Sequence, residues 1–370
     1  MAVVPTTAHA AAATLSVTVG GDSAVNNVGF EGMRFLAPGT ILVHKGDTLT
    51  FNFEGFHTAT LIPAGVGADD WRADNAAGVT SEYSLVQPDA DDGASQFRLN
   101  PKAVFPSDPS CGTTTPCTYD GKSVVNSGLS VVVGPSFSVT INANPGDTFW
   151  VLCLVHQMMQ SRVQVVADSD ATTTQAAIDS YASSQTARDK DDAAALINAL
   201  QQPSSHTTAG GTKVWDAYAG FDGDGWGLNG MFPKKIKVAK GDRVRWHFAQ
   251  LIGDLHTVTF PKPQAVALSN EFGSPSCEAD PTDTPPDAPP PAFCSTGPQN
   301  LELHVPGALL LPAGSHKYGG TGFRSSGVGG PGGLTTAPYD LKFTHRSGKA
   351  GFKYACAVHG GMMSGKVVVR

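Results

Sequence analysis

The chain has 370 residues, 41% of them hydrophobic, which is enough for two or three domains with their own cores. Gly (42 residues) and Pro (26 residues) are abundant and only 15% of residues are charged, which favours short strands joined by turns and argues against a helical bundle. The net charge of −7 without a basic stripe argues against nucleic-acid binding, and the absence of a long apolar run argues against a membrane span.

The first 13 residues are small and mostly apolar, and they include Ala8-His9-Ala10. An A-x-A pattern is typical of a signal peptidase site. No charged segment precedes it, so we interpret the chain as beginning within the tail of a signal peptide; a disordered Ala-rich terminus is the alternative. The interpretation predicts a periplasmic or extracellular protein.

Two segments about 200 residues apart repeat one pattern, which indicates two whole domains rather than a short-period solenoid. Residues 38–47 and 233–242 both read Pro-x-x-Ile-x-Val-x-Lys-Gly-Asp. In each copy an alternating apolar stretch follows, at 49–53 and 244–248, and then a His-Thr pair. Alternation between Gly and Pro turns predicts an antiparallel sandwich or barrel in each copy.

We place the domains at residues 14–166 and 213–370, with a linker at 167–212. The linker is rich in Ala, Gln and Asp, and its apolar residues, such as Ile178, Tyr181, Leu196 and Leu200, have helical spacing. The spacing predicts one helix, or two short ones, ending near Pro203. A wholly disordered linker is the alternative.

Both copies end in the same metal-binding pattern. A Cys is followed three residues later by a His and then by a pair of Met residues, and a second His lies about 100 residues upstream. One thiolate, two imidazoles and a long axial thioether are the ligands of a type 1, or blue, copper site. The C-x2-H motif alone also fits zinc, but zinc sites seldom include Met and the whole pattern occurs twice. The sequence therefore predicts two type 1 copper ions per chain.

The Pro-x-x-Ile-x-Val-x-Lys-Gly-Asp segments, the His-Thr pairs and the final loop that runs into residues 365–367 resemble those of the cupredoxin family, the plastocyanin and azurin type of blue copper protein, in tandem. The resemblance covers most of both copies. It implies an all-β fold of two Greek-key β-sandwiches joined by the partly helical linker. It also implies metal ligands at His57, Cys153, His156 and Met159 in the first copy, and at His256, Cys356, His359 and Met363 in the second.

The sequence departs from the family pattern in several places. Met363 has the family's spacing to the last strand, whereas Met362 follows its His by three residues, as Met159 does, and stays the alternative axial ligand. Ser161 stands where the family has Gly. Leu154 and Ala357 follow the ligand Cys where a hydroxyl is common, which leaves the reduction potentials open.

Long insertions, residues 64–130 and 261–333, enlarge the two copies. Each contains two further cysteines, and we predict the disulfides Cys111–Cys117 and Cys277–Cys294, which would persist only outside the cytosol. Each insertion also carries acidic residues, which serve solubility or form a docking face for a basic redox partner such as a cytochrome. These are Asp69, Asp70 and 89–92 in the first, and Glu278, Asp280, Asp283 and Asp287 in the second.

These features predict an exported protein that carries single electrons, with His156 and His359 near the surface in apolar patches that form electron ports. The alternatives are a copper-dependent oxidoreductase, such as a nitrite reductase or a multicopper oxidase, and a copper-sequestering protein. We expect no enzyme, because Leu152 and Ala355 precede the ligand Cys where nitrite reductases have His, and the chain has no His-x-His motif of the oxidases.

We expect redox-protein partners, no nucleic acid and no membrane span, and the oligomeric state is left open. Surface or structural roles are expected for the dispersed histidines, which are His44, His206, His247, His304, His316 and His345.

Overall fold

The structure is a computed structural model that describes residues 12–78, 80–88, 97–130, 133–248, 255–273, 277–279, 301–330 and 337–370. It confirms the predicted all-β class. Two β-sandwiches, one in the first half of the chain (residues 12–166) and one in the second (residues 213–370), are joined by a partly helical segment.

The first half begins with strands that alternate between buried and exposed residues. Its strands are β1 (Thr14–Gly20), β2 (Ser23–Val25), β3 (Val28–Gly32), β4 (Phe35–Leu36), β5 (Thr40–His44), β6 (Thr48–Glu54), β7 (Thr60–Leu61), β8 (Val86–Pro88), β9 (Phe97–Leu99), β10 (Cys117–Tyr119), β11 (Val125–Asn126), β12 (Val133–Ile141), β13 (Thr148–Leu152) and β14 (Gln160–Val166). Its helices are α1 (Ala68–Asn75) and α2 (Pro101–Val104).

Two five-stranded sheets form the first sandwich, in the orders β10-β12-β6-β1-β4 and β11-β7-β13-β14-β5. The pairs β1–β6 and β5–β14 are parallel, as strands brought together by long crossovers are. Side chains such as Val17, Phe51, Ile41 and Val163 are fully buried between the sheets. This apolar layer continues to the loop between β13 and β14, so the loop that carries Cys153 and His156 rests on a closed core.

A mainly helical segment leads into the second half, which again consists mostly of short strands. Helix α3 (Gln175–Leu200) precedes the strands β15 (Ser204–Thr207), β16 (Lys213–Gly223), β17 (Trp226–Phe232), β18 (Lys235–Val238), β19 (Arg243–Phe248), β20 (Thr259–Phe260), β21 (Cys277–Ala279), β22 (Leu301–Val305), β23 (Pro312–Ala313), β24 (Lys317–Tyr318), β25 (Arg324–Ser326), β26 (Tyr339–Phe343), β27 (Phe352–Cys356) and β28 (Gly360–Val369). Its other helices are α4 (Lys262–Gly273) and α5 (Gly307–Leu310).

The second sandwich packs the sheet β18-β28-β27-β20-β25-β23 against a sheet that contains β17-β16-β19-β26-β24. Its core is built around Trp246, whose ring lies near Phe260 and Tyr354, and whose Nε1 donates to the Tyr354 hydroxyl at 3.1 Å. A buried indole is stable there because its polar N–H has a partner.

The predicted linker helix is the single helix α3 of 26 residues. Thr174 caps it by accepting a hydrogen bond from Ala177 N, which satisfies one of the free N–H groups of the first turn. Ile178 packs into the first core, while Ala193 and Ile197 pack against strands β3 and β17. The helix is therefore part of the contact between the halves.

The two halves also share sheets, which the sequence did not predict. Strand β3 of the first half pairs with β17 of the second, and this extends the second sandwich by the hairpin β2–β3. Strand β9 pairs with β22, so strands of the two insertions form one four-stranded sheet. Backbone hydrogen bonds thus cross between the halves at two places.

The predicted disulfide Cys111–Cys117 is confirmed. Residue 294, the N-terminal residues 1–11 and the acidic positions 89, 91, 92, 280, 283 and 287 lie outside the described residues. No helix among the described residues is long and apolar enough to cross a membrane.

We expect Cys277 to be bonded to Cys294, because the pair is left over when the metal-site cysteines and Cys111–Cys117 are assigned. Peptide mapping of the unreduced protein should recover one peptide pair linked through these residues. A link from Cys277 to any other cysteine, or a free thiol at both positions, would contradict the pairing.

Candidate metal centres

The first centre forms where two sheet edges meet at one end of the first sandwich. His57 lies just before β7 and is held by a backbone bridge to Ser130. Cys153 follows the last residue of β13, and the loop that leads to β14 contains His156 and Met159. The loop is closed by two backbone hydrogen bonds, Cys153 N to Met159 O and Met159 N to His156 O, both 3.0 Å.

Three candidate ligand atoms converge in this centre. The Nδ1 atoms of His57 and His156 are 3.1 Å apart, and the Cys153 Sγ lies 3.6 Å from His156 Nδ1 and 4.0 Å from His57 Nδ1. Metal bonds of about 2.0–2.3 Å to nitrogen and sulfur place ligand atoms about 3–4 Å from one another around one ion. The three residues can therefore share one metal ion.

The second centre repeats this geometry. The Nδ1 atoms of His256 and His359 are 3.2 Å apart, and the Cys356 Sγ is 3.6 Å from His359 Nδ1. His256 is held by a bridge to Gly329, as His57 is by its bridge to Ser130. The described structure thus contains the same Cys and two His residues in the same arrangement in both halves.

The methionines differ in burial. Met159 is 1% exposed and Met363 is 0% exposed, and each belongs to the core cluster that contains the Cys of its own centre. Met362, in contrast, is 85% exposed. Burial in the core cluster that contains Cys356 favours Met363 over Met362 as the fourth ligand of the second centre.

A threonine network, missed by the sequence analysis, holds each thiolate. Thr58 N lies 3.5 Å from Cys153 Sγ, and the Thr58 hydroxyl accepts from Leu154 N at 2.8 Å. In the second centre, Thr257 N donates to Cys356 Sγ at 3.3 Å and the Thr257 hydroxyl accepts from Ala357 N at 2.6 Å. The repeated His-Thr-x-Thr of residues 57–60 and 256–259 is the sequence signal that could have revealed it.

Two glycines make room for the upstream histidines. Gly20 and Gly220 have positive φ angles of 92° and 73°, and a Cβ atom at either position would overlap the imidazole of His57 or His256. Only glycine allows both this backbone conformation and this close approach. The same requirement in both halves shows that the ring positions are fixed by the backbone.

The environment of each thiol favours the thiolate. Burial alone would raise the pKa of Cys153 and Cys356, but hydrogen bonds and charges of the paired imidazoles hold both pKa values well below the ordinary value. Since the thiolate is the metal-binding form of cysteine, both centres are chemically prepared for a cation.

Each insertion places a helix against the ligand loop. On α1, Trp71 packs on Leu152 and Leu154, and the Arg72 guanidinium donates to Cys153 O at 2.8 Å and to Met159 O at 2.9 Å. Burial lowers the pKa of Arg72 to about 10, against the opposing charge of the Cys153 thiolate, so the group is a cation at neutral pH.

On α4, Lys262 and Ser269 make the corresponding contacts with the second loop. The Lys262 ammonium donates to Ser364 Oγ at 3.0 Å, and the Ser269 hydroxyl donates to Val358 O at 3.1 Å. Both ligand loops are therefore supported by a half-buried cation, but Arg72 binds two loop carbonyl groups, whereas Lys262 binds a serine hydroxyl.

The predicted surface position of His156 is wrong. Its side chain is 1% exposed, and its Nε2 lies 3.0 Å from a carboxylate oxygen of Glu31, which is itself 5% exposed. Burial opposes ionisation of Glu31, but the charge and hydrogen bond of His156 outweigh it and hold the pKa of this carboxyl well below its usual range. His359 in the second centre is half-buried.

Asp22, Glu31 and His57 form a further cluster beside the first centre. Both oxygens of Glu31 are already in contact with His156 and Asn229, so the cluster is explained as an outer layer of that centre. Of the dispersed histidines, His206 and His247 lie near Asp216, at 3.5 and 3.0 Å, and His44 and His316 contact backbone carbonyls.

No protein-family model matches the sequence, and no curated protein matches it significantly. Among solved structures, auracyanin B is 18% identical, with 42% of this chain and 90% of that chain covered and a TM-score of 0.24. The multicopper oxidase mgLAC is 14% identical (68% and 65% covered, TM-score 0.19), and the blue copper oxidase from Nitrosomonas europaea is 12% identical (67% and 64% covered, TM-score 0.18). At such scores these likenesses do not support an inference about function.

We expect Arg72→Met to loosen the first ligand loop, because two carbonyl groups lose a charged donor. The free energy of unfolding of the metal-free protein should fall by about 1.5–3 kcal/mol, measured by urea denaturation. The matched control is Lys262→Met, which removes a half-buried cation from the second loop and should cost less than about 1 kcal/mol. Equal losses in the two variants would contradict the structural role assigned to Arg72.

Proposed function

We propose that the protein is an exported blue copper protein that carries single electrons through two type 1 copper ions. One ion is held in each of two domains, residues 14–166 and 213–370. Its ligands are His57, Cys153, His156 and Met159 in the first domain, and His256, Cys356, His359 and Met363 in the second.

The observation that carries this proposal is the repeated convergence of one thiolate and two imidazole Nδ1 atoms, with a buried Met in the same core cluster as each Cys. Soft sulfur ligands suit Cu(I) and imidazole suits Cu(II), so the set accommodates both oxidation states. The protein's own hydrogen bonds hold the ligands, so a change of oxidation state requires little movement of the chain.

The residues next to the thiolates favour a carrier over an enzyme. Leu152 and Ala355, which directly precede the ligand cysteines, are fully buried and have no metal-binding atom. No side chain therefore links the thiolate directly to a neighbouring imidazole at that position. The dispersed histidines whose side chains are described contact carboxylates, backbone carbonyls or a threonine hydroxyl.

Two observations support an exported protein with a protein partner. The Cys111–Cys117 disulfide persists in an oxidising compartment. Asp69 and Asp70 are exposed on α1 and add to the negative surface charge that can attract a basic redox protein such as a cytochrome.

Copper loading tests the two-centre proposal. The loaded protein should hold two copper ions per chain and absorb strongly in the visible red, because each thiolate donates charge to its ion. Cys153→Ser and Cys356→Ser should each remove only the absorption of its own centre, since the halves hold separate ligand sets. Metal analysis and absorption spectra of the two variants measure this.

Loss of all colour in one variant, or an unchanged spectrum in either, would contradict two separate centres. Met363→Leu and Met362→Leu are a matched pair for the axial ligand. We expect only the Met363 variant to change the spectrum of the second centre, because Met362 is exposed.

The carrier proposal predicts no sustained turnover of oxygen or nitrite. Steady-state assays of the copper-loaded protein with an artificial reductant should give no rate above that of free copper. Electron paramagnetic resonance should show only type 1 signals. Sustained turnover, or an additional copper signal of another type, would instead support an oxidoreductase.

A further inference from the structure

A buried carboxylate covers the first centre but has no equivalent in the repeated sequence. One oxygen of Glu31 is 3.0 Å from His156 Nε2, and the other accepts a hydrogen bond from Asn229 Nδ2 at 3.1 Å. The offset that aligns Lys45 with Lys240 puts Trp226 at the position that corresponds to Glu31. The second half therefore has no carboxylate at the aligned position.

Contact between the halves holds Glu31 in place. It lies on β3, opposite Gly227 of β17, and Asn229 is two residues further along β17. The second half thus supplies both the strand that pairs with β3 and the amide that binds the carboxylate. His156 is thus buried inside the molecule, whereas His359 is half-buried and lies three residues before the exposed Met362 in the sequence.

The hydrogen bond from His156 to Glu31 has two chemical effects. It keeps the proton of the imidazole on Nε2, which leaves Nδ1 free to bind the metal. The negative charge also makes Nδ1 a stronger donor, and a stronger donor stabilises the more highly charged, oxidised state of a metal. Removal of the charge should therefore favour the reduced state.

We propose, on the basis of the function proposed above, that Glu31 is a positioning residue that makes the two centres unequal. It lowers the reduction potential of the first centre through His156 and closes that histidine to protein partners. A one-electron redox protein then exchanges electrons with the second centre, through His359. Each exchange moves one electron from donor to acceptor and makes or breaks no bond.

A comparison of the potentials of the two centres would mix the effect of Glu31 with that of Arg72, whose opposite charge binds the first ligand loop. The effect of Glu31 is therefore measured within one centre. The copper-loaded Cys356→Ser protein retains only the first centre, and the Cys153→Ser protein retains only the second. Glu31→Gln in each background keeps the shape of the side chain and removes its charge.

In the Cys356→Ser background, Glu31→Gln should shift the equilibrium constant for one-electron reduction about tenfold toward the reduced state. For one electron this is a rise of about 59 mV in midpoint potential, measured by spectroelectrochemistry. In the Cys153→Ser background the rise should be smaller, because the charge of Glu31 also acts on His359 but without the hydrogen bond that it accepts from His156. The matched control, Asp224→Asn, removes the same charge from a side chain that is 99% exposed, and it should leave both potentials nearly unchanged.

A second measurement needs no substitution at Glu31. Stopped-flow rates of electron exchange are compared for the two single-centre proteins, with a basic cytochrome c and with the small anion hexacyanoferrate. The first centre should react with the cytochrome more slowly than the second by about one decade or more, because His156 is covered. With hexacyanoferrate, which needs less surface, the difference should be smaller.

Three results distinguish a failure of the proposed function from a failure of the inference about Glu31. Absence of the thiolate-to-copper absorption in both single-centre proteins would overturn the proposed function, and this inference with it. Normal absorption with an unshifted potential in Glu31→Gln would overturn the inference alone. Equal cytochrome rates for the two centres would likewise overturn the closure of His156.

Discussion

The structure depends on how a reactive thiolate is held at the end of a β-sandwich. In each half, a backbone N–H approaches the sulfur and a threonine hydroxyl holds the residue after the Cys, so the loop keeps its shape through bonds of the chain itself. The two imidazoles are then placed by strand pairing and by a glycine that allows close approach. Hence the chain's own hydrogen bonds and strand pairing hold the candidate ligand set in place.

The duplication keeps this arrangement and changes what surrounds it. Arg72 binds two carbonyl groups of the first loop, whereas Lys262 and Ser269 support the second. The thiolate of Cys356 also receives a second N–H, from Val358 at 3.4 Å. Charges and hydrogen-bond donors outside the ligand set alter the reduction potential of a bound metal. Two centres with the same candidate ligands can therefore differ in potential and in access.

The local parts of the centres could be predicted from the sequence, because they depend on residues close together along the chain or repeated in register. The C-x2-H motifs, the His-Thr pairs and the alternating strands are of this kind. Glu31 and Arg72 could not be predicted, since they reach the first centre through a hairpin that crosses to the other half and through a helix in an insertion. The surface position expected for His156 failed for the same reason: its cover comes from a distant strand pairing.

The pairing of β3 with β17 also sets an order of events during folding. His57, Cys153, His156 and Glu31 all lie in the first half of the chain. Strand β17 and Asn229, which fix the hairpin over His156, belong to the second half. The first candidate centre can therefore be covered only after the second half has folded against the first.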